Sequence, residues 1–559
     1  PLGFSIQTTY SPRFEWTNYL FHKAAASPDS GSQNGRVERT HTKDFYWQWD
    51  NMLKWNKTFG KHAFDFTFLA NWEKFQRWHD EMTNENFLPT DELGYGGIGF
   101  GTSPNVSSDD VYRTGDAFMG RLHYVYDQRY LITATVRRDG YSAFGLANPR
   151  ATFPAIALGW VFSEEKFLHR PDWFEYGKLR LSWGKNGNRA VGTYAAFMQL
   201  APRKYIYVDP ATGSLVTANT FYASTMANPN LKWESTTSWN IGTDLTFLKG
   251  RLSANLDVYK KITTDLLVSR ELPSLIGYSS VMSNIGEVQN TGVELSLNST
   301  NIRMDKLTWR TSFSLAYNKN KITHLYGIME DVKDADGNVI GQREADDIKN
   351  KRFIGHDIDE IWDYKVVGIW QEEEREEAAK YGQQPGDVHL LDKDMNYKYD
   401  NTDKEFQGTT MPRLRWSMRN DFTLFKNFNI SFNMYSYIGH KKTLGRFTND
   451  NALLNVTNQI KRDYWTPENR NNEYPRLANK KPAGVSYAIY KNASFLRFDN
   501  ISIGYTFPKK LIEPLRIQNL NVNATMKNAG YISGWPGYDP ENSDANTPRV
   551  IYFGINLTL

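Results

Sequence analysis

NIGEVQNTGVELSLN, residues Asn284 to Asn298, joins a backbone signal to a strand. Gly286 and Gly292 precede a run in which Val293, Leu295 and Leu297 alternate with Glu294, Ser296 and Asn298. Alternation with period two puts the apolar set on one face of an extended segment, and glycine permits a bend at its entry. The stretch therefore predicts a strand entered through a bend at Gly286 and Gly292, apolar on one side only.

The alternation recurs. Phe64, Phe66, Phe68, Ala70 and Trp72 oppose Asp65, Thr67, Leu69, Asn71 and Glu73 over a length that crosses a bilayer. Trp239, Ile241, Leu245 and Phe247 oppose Asn240, Gly242, Asp244 and Thr246. After Leu248-Lys249-Gly250-Arg251 a return strand repeats the pattern through Leu252, Ala254, Leu256 and Val258, which makes a hairpin on a tight glycine turn. Further turns of this kind are expected at Phe59-Gly60-Lys61, Asp127-Gln128-Arg129 and Lys426-Asn427. Counting every such segment predicts about sixteen strands. The chain ends on another, Ile551, Phe553, Ile555, Leu557 and Leu559 alternating with Tyr552, Gly554, Asn556 and Thr558. An edge of that kind is a hazard unless it closes against a neighbour.

Connections separate the possible architectures. Short turns alternate with long polar insertions at roughly 80–115, 187–232, 322–411 and 440–493. Insertions of that length are uncommon in compact domains. In an up-and-down meander, strict alternation of short and long places all the short turns at one end of the strands, as in a transmembrane barrel with short periplasmic turns and long extracellular loops. A soluble sandwich explains the alternation of residues but not that of the loops, and a propeller needs a regular repeat that is absent. The fold class predicted is all-β, a transmembrane antiparallel up-and-down barrel occupying residues 1–559.

Composition is consistent with this. Charged residues make up 23% and the net charge is +4, so no nucleic-acid partner is expected. Aromatics reach 14% and cysteine is absent, which excludes disulfides and thiolate chemistry. No run of about 18 apolar residues exists to form a spanning helix, which leaves spanning strands open. The chain opens with Pro1-Leu2-Gly3 and carries no signal peptide, so it reads as a piece of a longer precursor.

Six motifs in order give a resemblance. The first is Asn284, Gly286, Asn290, Gly292, Glu294 and Leu295, similar to N-x-G-x-x-x-N-x-G-x-E-L. Arg137-Arg138-Asp139-Gly140-Tyr141-Ser142-Ala143-Phe144-Gly145 resembles R-x-D-G-S-S-x-F-G, and Phe153-Pro154-Ala155-Ile156-Ala157-Leu158-Gly159-Trp160 resembles F-P-S-x-x-x-G-W. Leu179 to Asn188, LRLSWGKNGN, resembles L-R-x-S-Y-G-x-T-G-N. Phe495-Leu496-Arg497 through Gly504-Tyr505-Thr506-Phe507-Pro508, with Gly537-Tyr538-Asp539-Pro540-Glu541, is similar to the closing strands and last loop of the same family. The family is that of the SusC-like (SusC/RagA) TonB-dependent outer-membrane transporters.

The resemblance implies a multi-pass outer-membrane barrel that contacts lipid, with about sixteen of the family's 22 strands present and the N-terminal plug absent from this chain. It implies as partners a SusD-like lipoprotein lid, the TonB complex reached through the missing N-terminal part, and the remaining strands and plug of the same transporter. The function implied is import of oligosaccharides, with peptides as the alternative cargo and no enzymatic step. A glycan-active β-rich hydrolase and a passive porin-like barrel are the readings from other classes. No zinc-protease, nucleophile-elbow or phosphate-loop motif supports an enzyme.

One stretch carries possible ligand chemistry. In Asp392 to Asp403 the residues Asp392, Asp394, Asn396, Asp400 and Asp403 follow the spacing of a calcium loop and would take Ca2+ or Mg2+. Tyr397 stands where such loops carry glycine and Asp403 where they carry a longer glutamate, so a loop of Asx turns is the other reading. No other cofactor is expected. Glu372 to Lys380 predicts a short helix, and Asp334 to Asn338 a hairpin tip. Tyr95, Tyr194, Trp362, Trp370, Tyr397 and Trp535, in the long connections, are candidates to stack on cargo, while most other aromatics suit interfacial belts.

Overall fold

The computed structural model describes the chain except residues 1–2, 28–33, 88–92, 279, 335, 444–462, 478 and 543–544. Sixteen strands form one antiparallel sheet whose order follows the sequence. They are β1 (Phe4–Lys23), β2 (Arg36–Phe59), β3 (His62–Glu85), β4 (Asn105–Tyr126), β5 (Tyr130–Tyr141) and β6 (Arg150–Trp160). Next come β7 (Phe174–Asn188), β8 (Glu234–Phe247), β9 (Leu252–Thr264), β10 (Glu287–Met304) and β11 (Leu307–His324). The last five are β12 (Leu414–Leu424), β13 (Phe428–Ile438), β14 (Phe495–Thr506), β15 (Asn519–Ser533) and β16 (Val550–Thr558). This is the meander expected, with about the expected number of strands. No helix among the described residues is long and apolar enough to cross a membrane.

The short turns are left-handed where the strands' twist requires it. Asp127 and Gln128 have φ of 51° and 57°, and Leu248, Lys249 and Gly250 have 59°, 56° and 75°. Such turns match the twist of the strands they join. One insertion is shorter than expected: β3 runs to Glu85 and β4 starts at Asn105, so 80–115 is strand at both ends. There the strands have left the apolar band, both faces are polar, and the alternation that marks a strand disappears while backbone pairing continues from Thr83↔Asn105 down to His62↔Tyr126.

Two units are distinguished within the chain. One comprises Pro1–Val161, Arg180–Trp239 and Lys261–Glu287. Its core sits at the strand ends farthest from the short turns, where Tyr141, Phe144, Phe153, Leu231 and Trp233 are buried together. Phe144 stacks on Trp233 at 4.7 Å. The motifs explain this core: the Gly145 amide donates to the Leu231 carbonyl at 3.0 Å. A Cβ on Gly187 would stand 2.1 Å from the Phe153 ring, so the glycine of one motif makes room for the aromatic of another.

The other unit comprises Phe162–Leu179, Asn240–Lys260 and Val288–Leu559. The connections after β11, β13 and β15 carry a core of their own, in which Tyr364, Ile369, Val388, Leu390, Trp465, Tyr487, Ile489 and Trp535 are buried. Glu372–Glu374 and Arg375–Lys380 form the expected short helix as a 3-10 turn continuing into one α turn. Met329–Lys333 pairs with Val339–Glu344, which makes Asp334 to Asn338 the expected hairpin tip.

The opening motif is corrected at one residue. Gly286 bends the chain at φ 88°, but Gly292 has no positive φ and lies inside β10, which begins at Glu287. Its missing side chain serves packing: a Cβ there would stand 2.4 Å from the Tyr259 hydroxyl and 2.6 Å from the Tyr317 carbonyl. The asparagines of the motif tie neighbouring segments together. The Asn284 amide donates to the carbonyls of Lys232 (2.7 Å) and Asp265 (3.0 Å), and the Asn290 side chain accepts from Asn318 at 3.3 Å.

Candidate functional site

The predicted ligand loop lies in the connection between β11 and β12. Of its five candidates, Asp392, Asp394 and Asp403 converge, one carboxylate oxygen of each lying within 4.8 Å of the others. Asp403 is fully buried and accepts from the Lys393 amide (2.8 Å) and the Asp400 amide (2.9 Å). Asp392 Oδ2 accepts from the Tyr381 hydroxyl and the Tyr397 amide, each at 2.9 Å, while its Oδ1 is buried with no hydrogen-bond partner. Tyr397 adopts φ 65°, the left-handed conformation that glycine would supply at that position. Asp400 is turned away, accepting from the Thr402 amide at 2.7 Å as the cap of the turn Asn401–Asp403. Asn396 accepts from the Lys398 amide at 2.8 Å.

The electrostatics follow from this crowding. Burial raises the Asp392 carboxyl, but the Tyr381 hydroxyl and the Tyr397 amide outweigh it and hold the group below the ordinary carboxylate range. Asp394 is pushed up, by desolvation first and then by the Asp392 carboxylate. The Tyr381 phenol is raised by burial and by its bond to Asp392. Two neighbouring carboxylates that titrate apart are what unrelieved negative charge produces.

The aromatic candidates divide. Tyr95 and Tyr397 are exposed. Trp362, Trp370 and Trp535 are not available to a ligand, being 9%, 2% and 7% exposed. Trp370 stacks on His389 at 3.5 Å and donates to Gln383 at 3.1 Å, while Trp535 belongs to the core of the connections. Tyr194 is exposed as well, its hydroxyl accepting from the Tyr112 amide at 3.0 Å.

Two buried ion pairs went unforeseen. Asp387, fully buried, accepts from Arg476 Nε at 2.7 Å and from the Lys480 amide at 2.8 Å. Arg497 donates to Asp539 at 2.6 Å, both almost fully buried, and Asp539 also accepts from the Glu541 amide at 2.8 Å. Arg497 and Asp539 stand in the motif stretches Phe495-Leu496-Arg497 and Gly537 to Glu541, which are the sequence signal for that pair.

The polar face of the sheet carries the open space. In the first unit a cavity of about 730 Å3 is lined by Asp50, Asn71, Arg137, Asp139, Lys185 and Arg189 among others. A neighbouring one of about 390 Å3 is lined by Tyr46, Glu73, Phe75, Arg113, Tyr141 and Arg189. In the second unit Glu294, Arg415, Tyr435, Tyr437 and Asp499 line about 520 Å3. The opposite face exposes Phe4, Ile6, Tyr10, Phe14 and Trp16 on β1 alone. Contiguous apolar exposure of that extent marks contact with lipid.

An antiparallel meander with an apolar outer face, a polar inner face and its large connections at one end is the wall of an outer-membrane β-barrel. Residues 2–529 match the model of the family described as TonB dependent receptor-like, beta-barrel, and the chain belongs to that family. The TonB-dependent receptor SusC of Bacteroides thetaiotaomicron is 32% identical over 467 residues, covering 79% of this chain and 43% of the relative. TonB-dependent receptor P3 of Formosa agariphila is 28% identical over 555 residues, 97% of this chain and 53% of that one. The RagAB peptide transporter superposes with a TM-score of 0.77 at 20% identity, over 99% of this chain and 60% of that chain. These likenesses agree with the SusC-like resemblance, and the chain spans about half the length of the curated relatives it matches.

Proposed function

We propose that the full-length protein imports oligosaccharides across the outer membrane, driven by the TonB complex and closed from outside by a SusD-like lipoprotein. The observation that supports TonB-dependent import most is the 32% identity to SusC over 467 residues, and the oligosaccharide follows from the SusC-like motifs. Buried cores at the membrane-distal strand ends of each unit give a lid rigid surfaces to close on. Isolation of the full-length transporter from outer membranes, followed by identification of what co-purifies, tests the reading. A lipoprotein and an oligosaccharide support it; bound peptide in place of sugar replaces the cargo, and uptake that persists without TonB removes the mechanism.

The loop Asp392 to Asp403 is proposed to hold a divalent cation, Ca2+ or Mg2+, on Asp392, Asp394 and Asp403. The convergence of three carboxylates and the unpartnered Asp392 Oδ1 support this reading. Asn396 and Asp400 would enter the set only by releasing the amides they now accept. Calcium titration should protect the loop against limited proteolysis, and Asp403→Asn should abolish the protection. Equal cleavage with and without calcium would leave Asx turns as its only content.

A further inference from the structure

On the inner wall of the first unit Arg13, Arg77, Arg113 and Arg189 stand among the three carboxylates Glu15, Asp44 and Glu73, which pair with all of them but Arg113. Strand register brings Arg13, Tyr46, Phe75 and Arg113 side by side across β1 to β4. The next row outward holds Glu15, Asp44 and Arg77, and Glu73 lies two residues inward from Phe75. These residues share the face of Asp65, Thr67, Leu69 and Asn71, opposite the apolar column that ends at Trp72. The row therefore stands on the polar side, just beyond the apolar band on the end away from the short turns.

Three carboxylates are each taken by an arginine. Arg13 pairs with Glu15 and Arg189 with Glu73. Arg77 holds both oxygens of Asp44, at 2.7 and 2.6 Å. Arg113 has no ion pair or hydrogen bond among the described residues. Its guanidinium lies 4.2 Å from the centre of the Phe75 ring, and both residues line the cavity of about 390 Å3. Arg189, over Tyr141 at 5.2 Å, borders the same space, and Lys74 stands at its margin. A guanidinium backed by a ring and short of a carboxylate is a fork for a planar or tetrahedral anion.

We propose that this row is a cargo subsite and that the oligosaccharide carried is anionic, its carboxylate or sulfate ester received by Arg113 with Arg189 beside it. The inference rests on the oligosaccharide reading above and adds the charge of the sugar. Tyr46, which lines the same space, is the ring at hand to meet the sugar.

The experiment is calorimetric titration of the full-length transporter with oligogalacturonates, sulfated galactan oligomers and neutral malto-oligosaccharides. Anionic oligomers should bind, more weakly as salt rises. Arg113→Gln should weaken them about tenfold and Arg113→Lys less, because lysine keeps the charge but loses the fork. Heat-modifiable gel migration confirms that each variant is folded. Unchanged affinity in Arg113→Gln overturns the subsite, and binding of neutral oligomers alone, or of no anionic oligomer, overturns the anionic class. Binding of a peptide mixture in place of every saccharide overturns the oligosaccharide reading instead.

Discussion

At Gly292 a hydrogen atom does what a turn was expected to do. Gly292→Ala would drive a methyl against the Tyr259 hydroxyl and the Tyr317 carbonyl. The side chain can yield but the carbonyl cannot, so we expect a loss of roughly 1–3 kcal/mol, read as an earlier loss of heat-modifiable gel migration. Tyr259→Phe added to it should restore only part. His440, 3% exposed with Nδ1 unpartnered, has its pKa pushed down to about 4 by burial and by the charges of Lys442 and Arg415. The unfolded chain takes up this proton near pH 6.5 and the folded one near 4, so the neutral ring contributes stability above 6.5 that is lost as pH falls between the two values. The loss amounts to at most about 3 kcal/mol. Limited proteolysis of the connection around His440 should accelerate across that window, and His440→Gln should flatten the dependence. At this scale the sequence named motif glycines and aspartates but not their partners, because Tyr259 and Tyr317 lie on other strands.

Among the elements, hairpins were the most legible, since each turn at Gly60, Asp127 and Gly250 is written in adjacent residues. The connections were the least. Their core draws on three separate stretches of chain, so Trp370 and Trp535 looked like loop aromatics ready for cargo and are instead packed inside. The upper ends of β3 and β4 carry no strand signal in the sequence because alternation reports an apolar face, and beyond the membrane none is needed. Arg497 and Asp539 join β14 to the connection before β16. Asp539→Ala removes one of the two carboxylates on a buried guanidinium, Glu541 remaining 3.1 Å from Arg497 Nε, and should cost about 1–3 kcal/mol. The expected sign is rapid protease cleavage between 534 and 549 while the strands remain protected. Cleavage at the wild-type rate would mean that the pair is dispensable.

For the molecule as a whole, membrane placement makes a graded demand on the outer face. Phe68 lies midway along the column from Phe64 to Trp72. Phe68→Lys should cost about 2–4 kcal/mol in folding into lipid vesicles, and Trp72→Lys at the column's edge about 0–1. Equal costs at the two positions would mean that the column does not cross the bilayer. The sheet's order has a further consequence, for kinetics. Because the strand order follows the sequence, pairs joined by short turns, such as β2 with β3, close at little entropic cost, whereas β11 pairs with β12, Leu307 opposite Leu424, across the long connection between them. Such a sheet can grow by adding one hairpin at a time to a finished edge, the slower additions being those that must first close a long connection. Pulse-labelled hydrogen exchange during assembly should show protection spreading from neighbour to neighbour, with the connections and their shared core acquiring theirs last.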